Sequence, residues 1–414
     1  MKVTVLTMGC RSNQAESAKI EADLLQHGHE LADSADGAEV FILNSCTVTA
    51  KADAQCRRMI SKALKSGQRV IVTGCSAEIN KEKLLKAFPS VELFGNSEKN
   101  NIINKIGQSF QNLDNVIPVP HRHRPIVKIQ DGCDNFCSYC IVPYARGRSR
   151  SRPMQDIINE AMNLEQSGFN EIVLSGIHLG MYGKDIHETI DLVVLLQALL
   201  LKTHIPRIRL SSLEVPEMNE KLLEVISEER ICNHLHLPLQ SGSNAILRAM
   251  NRNYTAMDYE TCVQTVLRRI PDLCLGADVM VGFPGEDDSS FAETEAFIER
   301  LPLSYLHVFS FSRRDGTPAA TMTGQIPENV KKSRSERLRQ LGMRKRRAFI
   351  SSQLGRTTPV LVESVHHTKY HATTRNFIKA VFQSTKRHPM GSLVTVTLDE
   401  AIHDFATAHP VNEQ

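Results

Sequence analysis

Tryptophan is missing from the 414-residue sequence, and nothing follows from that absence. Other absences exclude more. No apolar run approaches the ~18 residues that a membrane-spanning helix needs. Leu192 to Leu201 comes nearest, but Gln197 interrupts it, so it reads as a core helix. No secretory leader is visible, because Met1 runs straight into a strand pattern; the expected location is the cytoplasm. Low-complexity tracts are absent too. Net charge is only +3, with 23% charged and 41% hydrophobic residues, an ordinary balance for a water-soluble chain. This length predicts two or three domains.

The small net charge hides an uneven spread. From Lys331 to Arg347 there are nine Lys or Arg and one acid, Glu336, so the remainder is net negative. Such a block fits a nucleic-acid footprint or a solvated helix face equally well.

Hydrophobic periodicity divides the chain into three sections. Residues 1–112 alternate strand and helix patterns, which predicts a small doubly wound parallel sheet. A proline-bounded linker, Pro118-Val-Pro-His-Arg-His-Arg-Pro125, follows. Residues 119–348 carry six strand-like runs: Ile126–Gln130, Glu171–Ser175, Arg207–Leu210, His234–Leu237, Ala277–Val281 and Leu306–Phe309. An eight-unit βα barrel takes about 250 residues, so this length predicts an open, partial (β/α)6 barrel. Residues 349–414 hold three short β-rich runs, Pro359–Val365, Asn376–Phe382 and Ser392–Leu398, and predict a small antiparallel β-barrel.

Ten cysteines are present, and in a reducing compartment they suggest metal rather than disulfides. Six form two trios. Cys10, Cys46 and Cys75 each follow a short apolar strand pattern. Ligands collect at the carboxyl ends of parallel strands, so these three thiols are expected to converge. The second trio is compact, Cys133-Asp-Asn-Phe-Cys137-Ser-Tyr-Cys140, just past the first barrel strand. Converging thiolates bind soft metal, and three ligands leave one position open. Structural zinc would need a fourth ligand. His121 or His123 in the linker could supply one, and the alternative reading is a zinc-stapled RNA-binding protein without catalysis. Cys56, Cys232, Cys262 and Cys274 have no motif partners and read as small buried hydrophobes.

The compact spacing resembles the signature of the radical S-adenosylmethionine superfamily. That resemblance implies a [4Fe–4S] cluster whose free iron chelates the amino and carboxylate groups of S-adenosylmethionine. An electron from the cluster would split the sulfonium and give a 5′-deoxyadenosyl radical. Gly9-Cys-Arg-Ser-Asn-Gln-Ala-Glu-Ser17, Asn44-Ser-Cys-Thr-Val-Thr49, Val72-Thr-Gly-Cys75 and the run from Asp131 to Arg148 resemble the methylthiotransferase family. His236-Leu-Pro-Leu-Gln-Ser-Gly242, Val281-Gly-Phe-Pro-Gly-Glu286 and Phe311-Ser-Arg-Arg-Asp-Gly-Thr-Pro-Ala319 extend the match over almost the whole chain.

The resemblance implies two [4Fe–4S] clusters. Cys133, Cys137 and Cys140 would make the radical, and Cys10, Cys46 and Cys75 would hold the sulfur to be transferred. It also implies S-adenosylmethionine as cofactor, a tRNA substrate, an electron donor such as flavodoxin or ferredoxin, a sulfur source, and no membrane. The Cys-Thr-Val-Thr version of the second motif resembles the branch that modifies threonylcarbamoyladenosine beside the anticodon. Sister branches act on isopentenyladenosine in tRNA or on an aspartate of a ribosomal protein. The C-terminal section resembles the RNA-binding (TRAM-like) module of the family.

Further site residues follow from position. Tyr139 would pack on the adenine of the cofactor or simply on its own loop. Ser175, Gly176, Ser212, Glu214, Gln240 and Gly282 lie at strand ends, where they would bind the cofactor or act as turn and cap residues. Arg146, Arg148, Arg150 and Arg152 alternate beyond the cysteines, as an exposed loop or as RNA phosphate contacts.

Overall fold

The computed structural model describes residues 1–32, 34, 37–107 and 123–411. Residues 118–122 of the linker, His121 among them, lie outside the described residues, as do residues 112, 119 and 412–414 of the expected section boundaries. The chain forms two units. One comprises residues 1–120, 131–150 and 312–320; the other comprises 121–130, 151–311 and 321–414.

In the first unit, Lys2–Thr7, Val40–Ser45 and Arg69–Gly74 form the middle of a five-stranded parallel sheet, flanked by Glu30–Leu31 and Glu92–Leu93. Successive strand side chains point to opposite faces, and both faces are covered. Phe41, Leu43, Val70 and Val72 bury Cys56 and Ile60 of helix Ala50–Lys65 on one side. Val3, Ile42 and Ile71 bury Ile20 and Leu24 of helix Arg11–Gln26 on the other. Thr49 caps the helix Ala50–Lys65 by accepting from the Ala52 N–H at 3.1 Å. The sheet is thus doubly wound, as expected.

In the second unit, all six expected strands are present. Ile126–Lys128, Glu171–Ser175 and Arg207–Leu210 form one parallel sheet, and His234–His236, Cys274–Val281 and Tyr305–Ser310 a second. Isolated parallel bridges, Ile208 with Ile231 and Ser212 with His236, continue one sheet into the next. The result is the open partial βα barrel. Its helices include Met154–Gln166, Glu220–Ile226, Ala256–Arg269 and Leu192–Lys202, which buries Leu192, Leu195, Leu196 and Leu199.

The basic block lies on helix Glu328–Ser351, which packs against Tyr305–Ser310. Lys331 and Arg334 are buried, and Arg334 pairs with Glu286 and Asp288, each at 2.7 Å. Arg344 pairs with Glu299 at 3.2 Å. Much of the block's charge is therefore spent within the fold, and it does not form one free basic stripe.

Strands Thr357–His366, Lys369–Thr374, Lys379–Gln383, Leu393–Ile402 and Phe405–Pro410 close into a barrel. The antiparallel expectation needs one correction. Lys379–Gln383 pairs parallel with Phe405–Pro410. With five strands, directions cannot alternate all the way round, so one neighbouring pair must run the same way.

Candidate active site

The first trio is built by sheet register. Thr7 pairs with Asn44, and Ser45 with Gly74, so the three central strands end side by side. Cys10 stands exposed at the start of helix Arg11–Gln26, while Cys46 and Cys75 are buried. Two glycines make the approach possible. A Cβ on Gly9 would lie 2.8 Å from the Cβ and 2.9 Å from the Sγ of Cys46. A Cβ on Gly74 would lie 2.4 Å from the Ser45 carbonyl, and both glycines adopt positive φ. Asn13 pins the turn: its amide donates to the carbonyls of Met8 (2.7 Å) and Ser45 (2.9 Å).

Electrostatics shows that the thiols sense one another. Burial pushes the Cys46 thiol up to about 11, and the Cys75 and Cys10 sulfurs add to the rise. Burial also raises Cys75, while the Arg146 guanidinium pulls it back. Thiols that raise one another in this way are costly to ionise alone and are stabilised as thiolates by a cation. The donor set therefore fits an iron–sulfur cluster held by three cysteines.

Behind two of these cysteines lies a buried polar network. Asp53 accepts from Thr47 (2.8 Å), beside Cys46, and from Ser76 (3.2 Å), beside Cys75. Asn80 donates to the same oxygen at 3.2 Å, and Arg314 forms an ion pair with the other. Arg314 also donates to Thr47 at 2.8 Å. Sequence inspection missed this role, although Arg314 lies inside the Phe311–Ala319 motif.

The compact trio lies in the loop between Asp131 and helix Val142–Arg146. Cys137 is buried, while Cys133 and Cys140 are half-buried. Cys140 N–H donates to the Cys137 carbonyl at 2.9 Å, and Cys133 N–H to that of Gly147 at 3.1 Å. The Ala319 N–H donates to the Ser138 carbonyl at 2.8 Å. Tyr139 is half-buried between two of the cysteines. The four arginines do not alternate in the environment they meet. Arg148 and Arg150 are exposed, Arg152 is half-buried against Glu160 at 2.7 Å, and Arg146 is buried. Arg146 thus departs from the expected RNA-contact set: it ends a helical turn that faces inward, where Glu16 and Asp131 bind it at 2.8 Å each.

In the barrel unit the expected strand-end residues lie at or just beyond carboxyl ends. Ser175 is buried and closes its strand, with Gly176 next. Ser212 exchanges a hydrogen bond with His236 Nδ1 at 2.8 Å. Burial raises the Glu214 carboxyl, and its ion pair with Arg252 opposes that rise. Gln240 has positive φ (67°) and bridges to Val279. The Gly282 N–H donates to Glu286 at 2.8 Å. A further group went unrecognised in the sequence: His236, Asp278 and His307, from three neighbouring strands, bring their ligand-type atoms within 4.8 Å of one another. Only their pairing across the sheet reveals it.

A parallel βα core with a Cys-x-x-x-Cys-x-x-Cys loop after its first strand defines a radical S-adenosylmethionine enzyme, and residues 127–298 match the Radical SAM superfamily. Residues 2–95 match the uncharacterized protein family UPF0004. The chain is 36% identical to the threonylcarbamoyladenosine tRNA methylthiotransferase MtaB of Aquifex aeolicus (strain VF5), over 96% of this chain and 100% of that one. It is 34% identical to MtaB of Bacillus subtilis (strain 168), over 98% and 94%. It is also 34% identical to the tRNA-2-methylthio-N(6)-dimethylallyladenosine synthase of Acetivibrio thermocellus, over 87% and 80%. Among solved structures, the radical S-adenosylmethionine methyltransferase TsrM of Kitasatospora setae superposes with TM-score 0.57 at 13% identity, over 77% of each chain. That likeness concerns the fold alone. The chain belongs to the radical S-adenosylmethionine methylthiotransferase family, whose members carry two [4Fe–4S] clusters. Membership sets aside the non-catalytic, zinc-stapled alternative.

Proposed function

We propose that this enzyme methylthiolates N6-threonylcarbamoyladenosine next to the anticodon of tRNA. The observation that carries the reading is the pair of thiol trios, one at three strand ends and one in the loop after the first barrel strand, in a chain spanning whole relatives of that name. When bound, the clusters supply the electron that cleaves S-adenosylmethionine and hold the sulfur that is transferred. The chain's own residues hold and orient. Cys133, Cys137 and Cys140 would grip the radical-generating cluster, and Cys10, Cys46 and Cys75 the sulfur-carrying one. Tyr139 offers a flat face for adenine. Ser175, Gly176, Ser212, Gln240 and Gly282 would bind the cofactor at the barrel mouth, with Glu214 held in place by Arg252. Arg148, Arg150 and Arg152 remain as the RNA phosphate contacts.

The functional division follows as residues 1–112 for the sulfur-carrying section, 119–348 for the radical barrel and 349–414 for a TRAM-like RNA-binding barrel. The reaction also needs an electron donor such as flavodoxin or ferredoxin and a sulfur source, and its place of work would be the cytoplasm. Among the described residues no helix is long and apolar enough to cross a membrane. Mass spectrometry of tRNA nucleosides from a strain lacking the gene tests the substrate. Loss of the methylthio group from threonylcarbamoyladenosine is the expected result. Loss from isopentenyladenosine instead would establish the second reading, which the Acetivibrio relative favours. Intact methylthiolation of both nucleosides would overturn the proposal.

A further inference from the structure

We infer that Arg146 is the electrostatic partner of the N-terminal thiol trio, a positioning and potential-setting residue rather than an RNA contact. The inference rests on the reading that Cys10, Cys46 and Cys75 hold a cluster. Arg146 ends the short helix Val142–Arg146, which starts two residues after Cys140. That helix packs against helix Cys75–Ile79, which begins with a cysteine of the other trio. Asn96 fastens the contact by donating to the Ala145 carbonyl at 2.6 Å.

The guanidinium is buried, and both of its terminal nitrogens are engaged. One nitrogen donates to Glu16 and Asp131 at 2.8 Å each, and the other to Glu16 at 3.3 Å and to the Asn13 side-chain oxygen. Its positive charge also bears on Cys75, whose thiol it pulls down against the rise from burial. The Asn13 oxygen that takes the Arg146 bond is also 3.8 Å from the Cys10 sulfur. Arg146 therefore ends a helix packed on the one that Cys75 begins, and it reaches Cys10 through one side chain. Two cations, Arg146 and Lys99, balance the carboxylates Glu16 and Asp131, so the network adds no net negative charge beside Cys75. Hydrogen bonds and charge at ligating sulfurs set the reduction potential of an iron–sulfur centre. A guanidinium there favours the reduced, more negative form. A buried arginine at a forked site also fixes geometry as lysine cannot.

The test uses the full chain with Cys133, Cys137 and Cys140 changed to Ala, reconstituted anaerobically with iron and sulfide. Iron content and the midpoint potential, read by electron paramagnetic resonance during a redox titration, are the measurements. Arg146→Gln shifts the midpoint to more negative potential, and Arg146→Lys shifts it less. Glu16→Gln, which removes a carboxylate and leaves the arginine, shifts it to more positive potential. Opposite signs support direct electrostatic coupling, because simple loosening of the fold would move both variants the same way. Should Arg146→Gln fail to fold or to hold iron, Glu16→Gln decides alone: a positive shift supports the inference and no shift overturns it. Unchanged potentials, or shifts of one sign, overturn it with the cluster intact. If the parent protein binds no iron, the cluster reading itself has failed and this inference falls with it.

Discussion

The two cysteine trios solve one ligation problem in opposite ways. Cys133, Cys137 and Cys140 come from eight consecutive residues, and a local turn brings them together. Cys10, Cys46 and Cys75 are separated by dozens of residues and meet only because three parallel strands end in register. The compact trio is half-exposed at two of its members. The strand-end trio buries two thiols against the network of Asp53, Arg314 and Asn80. A local site tolerates change elsewhere in the fold, whereas an assembled one depends on the whole sheet.

The sharpest break of this contrast is chemical. Changing Cys10, Cys46 and Cys75 together to Ala should abolish the methylthio product while 5′-deoxyadenosine release persists, both read by liquid chromatography with mass spectrometry. The same change at Cys133, Cys137 and Cys140 should abolish both. A smaller but still large effect is expected from Arg314→Ala. It strands the buried Asp53 carboxylate, and breaking a buried pair costs about 3–5 kcal/mol. Iron bound by the strand-end trio should fall in that variant, measured with the compact trio already removed. Next comes Gly74→Ala. Its positive φ and the 2.4 Å approach to the Ser45 carbonyl predict a loss of about 1–3 kcal/mol in urea unfolding. The gentlest changes are Arg148→Ala and Arg150→Ala. Each should weaken tRNA binding across sequences and lower the salt slope by about 1, measured by filter binding over a salt series.

Much of this architecture was readable before any coordinate. The six barrel strands and the strand-end cysteines stand out because buried parallel strands are short aliphatic runs. The second and fifth strands of the C-terminal barrel, Lys369–Thr374 and Phe405–Pro410, escaped notice: they are rich in Ala, Thr and His, and their apolar alternation is weak. Arg146 was misplaced for a different reason. The segment around it alternates arginine with small residues and looks like one solvent-facing strip. A helical turn over Val142–Arg146 changes the direction of its last side chain. The partners that decide its fate, Glu16 and Cys75, lie 130 and 71 residues away, beyond the reach of local pattern.

One property of the C-terminal module follows from its closure. Every strand of that barrel is paired on both sides, and Lys379–Gln383 with Phe405–Pro410 makes the final seam. Among the described residues no strand of the barrel is an edge along its whole length, so little unpaired backbone is offered to an incoming chain. Whatever this module touches is therefore met mostly by its side chains, its connecting loops and the overhanging strand ends Ser364–His366 and Glu400–Ile402.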